Sequence, residues 1–445
     1  MSSNSEYLAA SGVQTALAEA ISAVVRTQPA DPISFIGRFL VESQAAKDPL
    51  DEEEARKREK PIVDGDRAAA IVKELYGLTV VPDSLKDLDS YDDRNFYLQA
   101  THARPELAEA ADGNAIGGAT DGLLCGHFVL KVHNGVESLN AGFVECQNRA
   151  MALVRECGVW CPRALPSLEG AQIAFAPSAL ADGTIREHAI RCLPFKPAKI
   201  MGGVVPTAGM LADVGVLCAK VSKALLPYDH PAAHRIFVWD LAQALALRPL
   251  LAHLSVERQE LLGSVLDEFE ARVLPHAAEL RSCVIHGDIN DQNLLVGEAA
   301  ASGERPVVGV IDFGDMCHTW LVNDIAIAAA YAVIALHYER PKGAPTPEEQ
   351  PSMLEVPACV AIVASYAAHM SAEGLGLSDA EWHVLPTLIS IRIAMSLTLG
   401  AYSSAKDPTN EYLKLTLLPG LKALKALRAL SADELLTALK AGRAA

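Results

Sequence analysis

Residues 285–293 read Ile-His-Gly-Asp-Ile-Asn-Asp-Gln-Asn, and residues 310–314 read Val-Ile-Asp-Phe-Gly. The first segment sets a carboxylate, Asp288, ahead of an amide, Asn293, in one short loop. The second places Asp312 at the end of an apolar run, Val307, Val308, Val310 and Ile311, with the character of a short strand. Phosphoryl transfer needs one carboxylate to orient the attacking hydroxyl, and an amide oxygen with a second carboxylate to hold magnesium. A catalytic loop followed by a metal-binding strand end supplies those groups in this order. Short turns containing Asp and Gly are common, so the weight lies on the two segments together.

Such a reaction also needs a cation for the nucleotide phosphates. Phe128, Val129, Leu130, Lys131 and Val132 form a short apolar strand interrupted by one lysine. Burying Lys131 there is costly unless anions receive it; the alternative is an edge strand with the lysine in solvent. Glu145, within the helix-compatible segment 140–157, is the expected ion-pair partner. No Gly-x-Gly-x-x-Gly occurs. The phosphate-covering turn is therefore expected at Ser90, Tyr91, Asp92, Asp93, Arg94 and Asn95, between the extended runs 85–88 and 96–98. Polar turn residues there present backbone N–H groups without glycine. Gly113, Gly117, Gly118 and Gly122 read instead as part of an exposed hairpin insertion over roughly 101–126.

The chain has 445 residues, enough for two or three domains, and its 50% hydrophobic content excludes a mainly disordered polymer. No run approaches the roughly 18–20 apolar residues of a membrane span. The first residues, Met-Ser-Ser-Asn-Ser-Glu-Tyr, lack the basic and apolar regions of a secretory signal. Nine cysteines stand singly without a Cys-x-x-Cys pair, which implies reduced thiols and a cytoplasmic location. Cys157 and Cys161 lack the further ligands of a zinc site. A formal charge of −17 argues against nucleic-acid binding and mildly favours a cationic substrate.

Several pieces then line up: Tyr76-Gly77-Leu78, Ser90-Tyr91-Asp92-Asp93-x-Asn95-Phe96, Val129-Leu130-Lys131, Glu145-x-Gln147-Asn148, His286-Gly287-Asp288 and Ile311-Asp312-Phe313-Gly314-Asp315-Met316. With Phe237-Val238-Trp239-Asp240-Leu241 and Ala401-Tyr402-Ser403, they resemble the hydroxylysine kinase branch of the aminoglycoside phosphotransferase (choline kinase-like) family, from about residue 67 to about 430. His-Gly-Asp, where protein kinases carry His-Arg-Asp, is the hallmark of that resemblance.

The resemblance implies a bilobal, protein-kinase-like α+β fold, with a β-rich N-lobe over 67–194 and a mainly helical C-lobe over 195–445. It implies Mg²⁺-dependent transfer of the γ-phosphate of GTP or ATP to the hydroxyl of 5-hydroxy-L-lysine. Choline or ethanolamine, homoserine and aminoglycosides are the alternative acceptors. A pseudokinase scaffold is disfavoured because Lys131, Asp288, Asn293 and Asp312 occur together. By the same resemblance Asp288 is the catalytic base, and Asn293 and Asp312 are the magnesium ligands. Lys131, steadied by Glu145, holds the α- and β-phosphates, and a nucleobase-contacting hinge falls near Arg191 and Leu193. His286 and Asp324 are support residues. Asp291 and Asp315 either face an acceptor amine or cap their own turns.

Ahead of the kinase region, Leu17, Ala20, Ile21, Val24 and Val25 recur at helical spacing. Asp31 and Pro32 then open a second apolar helix with Ile33, Ile36, Phe39 and Leu40. Helices this short cannot bury such faces alone, so they pair with another copy or fold onto their own kinase lobe. The 1–46 hairpin resembles the dimerisation-and-docking domain of protein kinase A regulatory subunits, which implies a homodimer offering a groove to an amphipathic helix. Residues 47–66, dense in charge, read as a solvated linker.

Overall fold

The computed structural model describes residues 49–104, 124–301, 303–339, 354–406, 408 and 414–442. The expected hairpin over 1–46 lies outside them, as does most of the 101–126 insertion. The chain divides into two compact units. One takes residues up to 149, with 162–197 and 230–237; the other takes 150–161, 198–229 and everything from 238 onward.

In the first unit, α1 (Pro49–Arg58) precedes α2 (Gly65–Tyr76). Asp64 caps α2 by accepting from the Arg67 N–H at 2.8 Å, and Gly77 at φ +67° ends it. Ala68, Ile71, Val72 and Tyr76 fall on one side of α2 and are buried. The strands follow: β1 (Thr79–Val80), β2 (Lys86–Leu88), β3 (Arg94–His102) and β4 (Leu124–Val132), then α3 (Gly135–Leu139), the first part of α4 (Ala141–Glu156, assigned to the second unit from residue 150), β5 (Ala174–Ala179) and β6 (Ile185–Pro194). They form an antiparallel sheet ordered β1-β3-β4-β6-β5, with β2 also on β3.

Side chains alternate across that sheet. Phe96, Leu98 and Ala100 of β3 and Phe128, Leu130 and Val132 of β4 join the α2 face in one core. Lys131 lies on the opposite face, with Asn95 and Arg191 as its register neighbours on β3 and β6. Residues 49–66, within the 47–66 stretch expected to be a solvated linker, are docked onto this unit. The Lys60 ammonium donates to the Ser90 carbonyl at 2.7 Å, Ile62 bridges to Ala179, and Arg56 is buried. Charge density alone misled at Arg56 and Lys60, whose charges meet protein partners.

The second unit is mainly helical. Its elements are β7 (Lys199–Ile200), α5 (Ala208–Leu225), a 3₁₀ run (Leu241–His253), α6 (Val256–Arg272), β8 (Ser282–Ile285), β9 (Leu294–Val296), β10 (Val307–Val310), β11 (Cys317–Trp320), α7 (Val322–Ala335), α8 (Glu355–Ala372), α9 (Asp379–Lys406), α10 (Leu417–Leu427) and α11 (Ala432–Gly442). Two small antiparallel sheets, β10-β9-β7 and β11-β8, are set among the helices. Every residue of α7 is buried, and α9, at 28 residues, supplies the longest core helix. By length and composition α9 matches a membrane span, but 89% of its most apolar window is buried inside the protein. A sheet-rich unit and a mainly helical unit give the α+β class that the sequence implied.

Candidate active site

Two strand pairings bring the diagnostic segments to one place in the second unit. β8 runs antiparallel to β11, with Ile285 opposite Cys317. The chain leaves β8 at His286, makes the 286–293 loop and enters β9, whose Leu294 pairs with Val310 of β10. Past that register the Ile311 N–H donates to the Asn293 carbonyl at 2.9 Å. Asn293 and Asp312 therefore leave the same end of one ribbon.

Asp288 is the most heavily bonded carboxylate of the loop. Its Oδ2 accepts from Asn290 Nδ2 at 2.8 Å and Asn293 Nδ2 at 2.7 Å, and its Oδ1 accepts from Arg392 Nη2 at 2.7 Å. Burial raises the Asp288 pKa, opposed by the Arg392 guanidinium, and burial wins. The result is an oriented carboxylate more basic than an ordinary aspartate, which suits accepting a hydroxyl proton. Asn293 Nδ2 also donates to the Asp288 carbonyl at 3.0 Å, which fixes the amide's orientation and turns Oδ1 away as an acceptor.

The loop is held from beneath. Asp324, fully buried in the first turn of α7, accepts from the His286 N–H at 3.1 Å and the Gly287 N–H at 2.9 Å. Burial pushes its carboxyl up to about 6. Asp324 is thus a support for the loop, as expected. His286 is also fully buried; its Nδ1 accepts from the Asp288 N–H at 3.2 Å, and its ring lies 4.5 Å from that of Phe313. Gly287 sits at φ +79°, and a Cβ there would lie 2.4 Å from the Asp315 carbonyl oxygen. Only glycine meets both demands, which explains the residue between His286 and Asp288.

Asp312 has φ +60°, one of two non-glycine residues in the left-handed region among those described. Its side chain is exposed, and its Oδ1 accepts from the Gly314 N–H at 3.1 Å. A strained backbone that presents a carboxylate at a strand end is typical of a functional site. The Asn293 amide oxygen and the Asp312 carboxylate are hard oxygen donors of the kind magnesium takes, so the residues present fit that ion.

The residue that sequence reasoning missed is Arg392. It stands in the middle of α9, is 1% exposed, and is the only formally charged side chain between Glu381 and Lys406. Its Nη1 donates to the Trp239 carbonyl at 3.1 Å, and its guanidinium lies 5.0 Å from the Trp239 ring and 5.2 Å from the Tyr331 ring. A lone arginine in a helix otherwise so apolar was the available signal, since such a charge requires a buried partner.

Asp291 is 2% exposed, accepts from Gln292 Nε2 at 2.6 Å and from Tyr338 Oη at 3.5 Å, and burial pushes its carboxyl up to about 6. The Asp315 carboxylate acts electrostatically on Arg392, and its carbonyl packs against Gly287.

Lys131 and the turn residues belong to the first unit. The Lys131 ammonium is 2.9 Å from Asp93 Oδ2, not on Glu145, so the expected pairing is corrected. Glu145 is half exposed on α4 and pairs one turn along with Arg149. The apolar phase of α4 (Val144, Ala150, Met151 and Val154 buried) places Glu145 on the outer side. The Asp93 N–H is taken by Ser90 Oγ at 3.1 Å, Asp92 Oδ2 lies 2.5 Å from Arg56 Nε, and the Tyr91 ring lies under Lys57 at 4.3 Å. Asn95 Oδ1 is buried without a hydrogen-bond partner.

Arg191 is buried too. Its Nη1 and Nη2 donate to Asn148 Oδ1 at 2.9 Å and Gln147 Oε1 at 2.6 Å, and its Nε donates to His133 Nε2 at 3.0 Å. The Arg191 side chain is therefore committed inside the unit rather than to a nucleobase. Leu193, two residues along β6, lies opposite Val129.

Residues 118–343, more than half of the chain, match the phosphotransferase enzyme family, APH. The chain belongs to that family. Among similar sequences, a hydroxylysine kinase of Danio rerio is 28% identical over 384 residues, 85% of this chain and 95% of the relative. A hydroxylysine kinase of Mus musculus is 26% identical over 378 residues, 83% and 90% respectively. Among solved structures, amicoumacin kinase hAmiN in complex with AMP-PNP, Ca²⁺ and Ami aligns with a TM-score of 0.55 at 12% identity, covering 86% of this chain and 99% of that one. A microcompartment-associated aminopropanol kinase aligns with a TM-score of 0.52 at 17% identity, covering 84% and 98%. The fold is thus that of the APH kinases, and the chain is a small-molecule phosphotransferase acting on an alcohol group.

Proposed function

We propose that this APH-family enzyme transfers the γ-phosphate of GTP or ATP to the hydroxyl of 5-hydroxy-L-lysine. The observation that carries the reading is the Asp288–Asn293–Asp312 arrangement. One oriented carboxylate is bonded at 2.7 Å to an amide whose oxygen faces away, beside a strand end that presents a second carboxylate. Asp288 orients the acceptor hydroxyl and takes its proton as the oxygen attacks the γ-phosphorus. Asn293 and Asp312 hold Mg²⁺, which neutralises charge on the phosphate oxygens when bound. Lys131 meets the α- and β-phosphates, and its pairing with Asp93 keeps the ammonium charged and extended until they arrive.

The choice of acceptor is supported by relatives named hydroxylysine kinases that align along more than four-fifths of both chains. Asp315, half-buried beside the catalytic residues, favours an ammonium-bearing acceptor, whereas Asp291 is buried and bonded within the protein. Arg392, buried and bonded to Asp288, is not available to a substrate carboxylate. The same reading includes a cytoplasmic enzyme that dimerises through residues 1–46.

Purified enzyme should be assayed with Mg²⁺, ATP or GTP, and a panel of 5-hydroxylysine, ethanolamine, choline, homoserine and an aminoglycoside. Hydroxylysine is expected to give the highest kcat/KM. A robust rate on another acceptor, with hydroxylysine inert, rejects the choice. Light scattering of the full chain beside a variant lacking residues 1–46 tests assembly: a truncated protein that is still dimeric places the interface elsewhere.

A further inference from the structure

We infer that Arg56, on the helix ahead of the family-matching region, is a positioning residue for the nucleotide-binding lysine, and acts by balancing the charge of a buried network that ends at Lys131. This rests on the proposed role of Lys131 toward phosphate. The inference adds a residue that lies outside the 118–343 match.

The network lies within the first unit as two sets of short contacts, which approach one another where His133 Nδ1 is 3.9 Å from Asp93 Oδ2. Arg56 is 5% exposed; its Nε lies 2.5 Å from Asp92 Oδ2, and its Nη2 donates to Glu137 Oε1 at 2.8 Å. Glu137 Oε2 is 2.6 Å from His133 Nδ1, and His133 Nε2 accepts from Arg191 Nε at 3.0 Å. Because Nε2 accepts, the His133 proton sits on Nδ1 and the ring is neutral, in keeping with burial and then Arg191 lowering its pKa. Asp93 follows Asp92 directly. Its Oδ1 accepts from the Asn134 N–H at 2.8 Å and from Asn134 Nδ2 at 3.0 Å, and its Oδ2 meets Lys131 at 2.9 Å.

These contacts join three cations, Arg56, Lys131 and Arg191, to three carboxylates, Asp92, Asp93 and Glu137. Burial pushes Glu137 up, but the Arg56 guanidinium outweighs it and holds the carboxyl at about 2. Burial likewise pushes Asp93 up, but Lys131 outweighs it and keeps that carboxyl well below the usual range. By formal charge the three cations therefore face three anions. Two of the acids, Asp92 and Glu137, are met by Arg56, which leaves Lys131 only Asp93 to satisfy within this set. Without Arg56 the set carries a net negative charge where a triphosphate must approach. Asp92 and Glu137 then compete for the lysine ammonium, because a buried carboxylate cannot stay unpaired. Lys60 lies at the edge with its ammonium on the Ser90 carbonyl, and its more exposed position makes it a poor substitute.

The helix carrying Arg56 is built into the unit. The Gly135 N–H donates to the Glu59 carbonyl at 2.9 Å, and a Cβ on Gly135 would lie 2.1 Å from Glu59 Oε2. This contact fixes the α1 end against the start of α3, whose Glu137 is one of the acids that Arg56 meets.

The test compares R56M, K131M and the double variant R56M/E137Q in the full chain, measuring Mg-nucleotide Kd by calorimetry and kcat at saturating nucleotide. The amide introduced by E137Q still accepts from His133 but carries no charge, so the double variant restores neutrality. R56M is expected to weaken nucleotide binding at least about fivefold, roughly 1 kcal/mol, with a smaller change in kcat. R56M/E137Q is expected to bind more tightly than R56M. A purely structural arginine predicts the opposite, since the double variant removes a further native bond. The inference is overturned by a smaller loss in R56M, or by a double variant no better than the single one. If R56M does not fold, a folded double variant within fivefold of the parent supports the inference, and a greater loss or a failure to fold overturns it. K131M separates the two levels: unchanged nucleotide binding there defeats the proposed role of Lys131 itself.

Discussion

Arg392 Nη2 lies 2.7 Å from Asp288 Oδ1 and joins the core helix α9 to the catalytic loop. The pair is asymmetric: the guanidinium side chain is 1% exposed and the carboxylate side chain 18%. The charge on α9 is therefore hidden from substrate, while its partner reaches solvent. With Asn290 and Asn293 on the other oxygen, Arg392 fixes the carboxylate plane by three donors from two elements. Orientation of this kind shortens the search for a reactive geometry.

Asp288→Asn keeps the side-chain shape and removes the base. It is expected to lower kcat at least about 10²-fold, the low end for losing general-base help. Steady-state kinetics on folded protein checks this, and an unchanged kcat removes Asp288 from the mechanism.

Arg392→Met takes the buried cation from a carboxylate that needs it. Unfolding free energy should fall by about 3 kcal/mol, as when one partner of a buried pair is removed. The freed carboxylate should also lower kcat by about tenfold through lost orientation. Arg392→Lys retains charge without the planar fork and is expected to fall between. Urea unfolding and kcat are the two readouts. Loss of stability with kcat intact would make Arg392 a core residue only.

At Gly287 backbone and packing act together. Gly287→Ala forces a side chain into the left-handed region and sets a Cβ 2.4 Å from the Asp315 carbonyl oxygen. The combined cost is roughly 2–5 kcal/mol, and the displaced loop should abolish measurable turnover. A variant with parental stability and activity would show that the loop adapts freely.

Much of this site was legible because spacing carries it. Asp288 and Asn293 lie in one loop, and Asp312 ends a strand whose apolar character was plain. Other parts were hidden by the kind of evidence available. Glu145 had the residue type for a lysine partner, yet helical phase turns it outward, while Asp93 sat unweighted in a turn assigned to backbone contacts. Arg392 pairs with Asp288 across 104 positions of sequence, a contact that no local pattern encodes. Residues 47–66 looked solvated because ion pairing and hydration leave the same composition; only the placement of Arg56 between Asp92 and Glu137 tells them apart.

His286 gives a pH prediction with a definite sign. Burial lowers its pKa from 6.5 to about 4, so the folded protein keeps the ring neutral where the unfolded chain protonates. Its contribution is fully present above about pH 6.5 and is lost as pH falls toward 4, up to about 3 kcal/mol. Asp324 acts the other way. Its carboxyl is raised to about 6, so the folded state retains a proton that the unfolded chain releases, and stability falls as pH rises through that range. His286→Asn keeps an acceptor for the Asp288 N–H and removes the titration. Its stability should therefore decline less than the parent's between pH 6.5 and 4.5, by urea unfolding at each pH. A steeper decline in the variant would mean that the buried ring is charged.

Asp312 separates stability from function most cleanly. Its backbone is held at φ +60°, where a non-glycine residue costs about 1 kcal/mol and glycine costs little. The carboxylate is exposed, so it brings little burial to set against that strain. Asp312→Gly relieves that strain but gives up the Gly314 N–H bond to Oδ1, so its stability should stay within about 1 kcal/mol of the parent. Yet the variant loses one of the two proposed oxygen ligands, so turnover should drop at least about 10²-fold. Asp312→Ala removes the same carboxylate but keeps the strain, and should be less stable than the glycine variant and equally inactive. Thermal unfolding and Mg²⁺-dependent kinetics on both variants give the comparison. If Asp312→Gly retained parental activity at low Mg²⁺, the strained backbone would have to be explained without a metal.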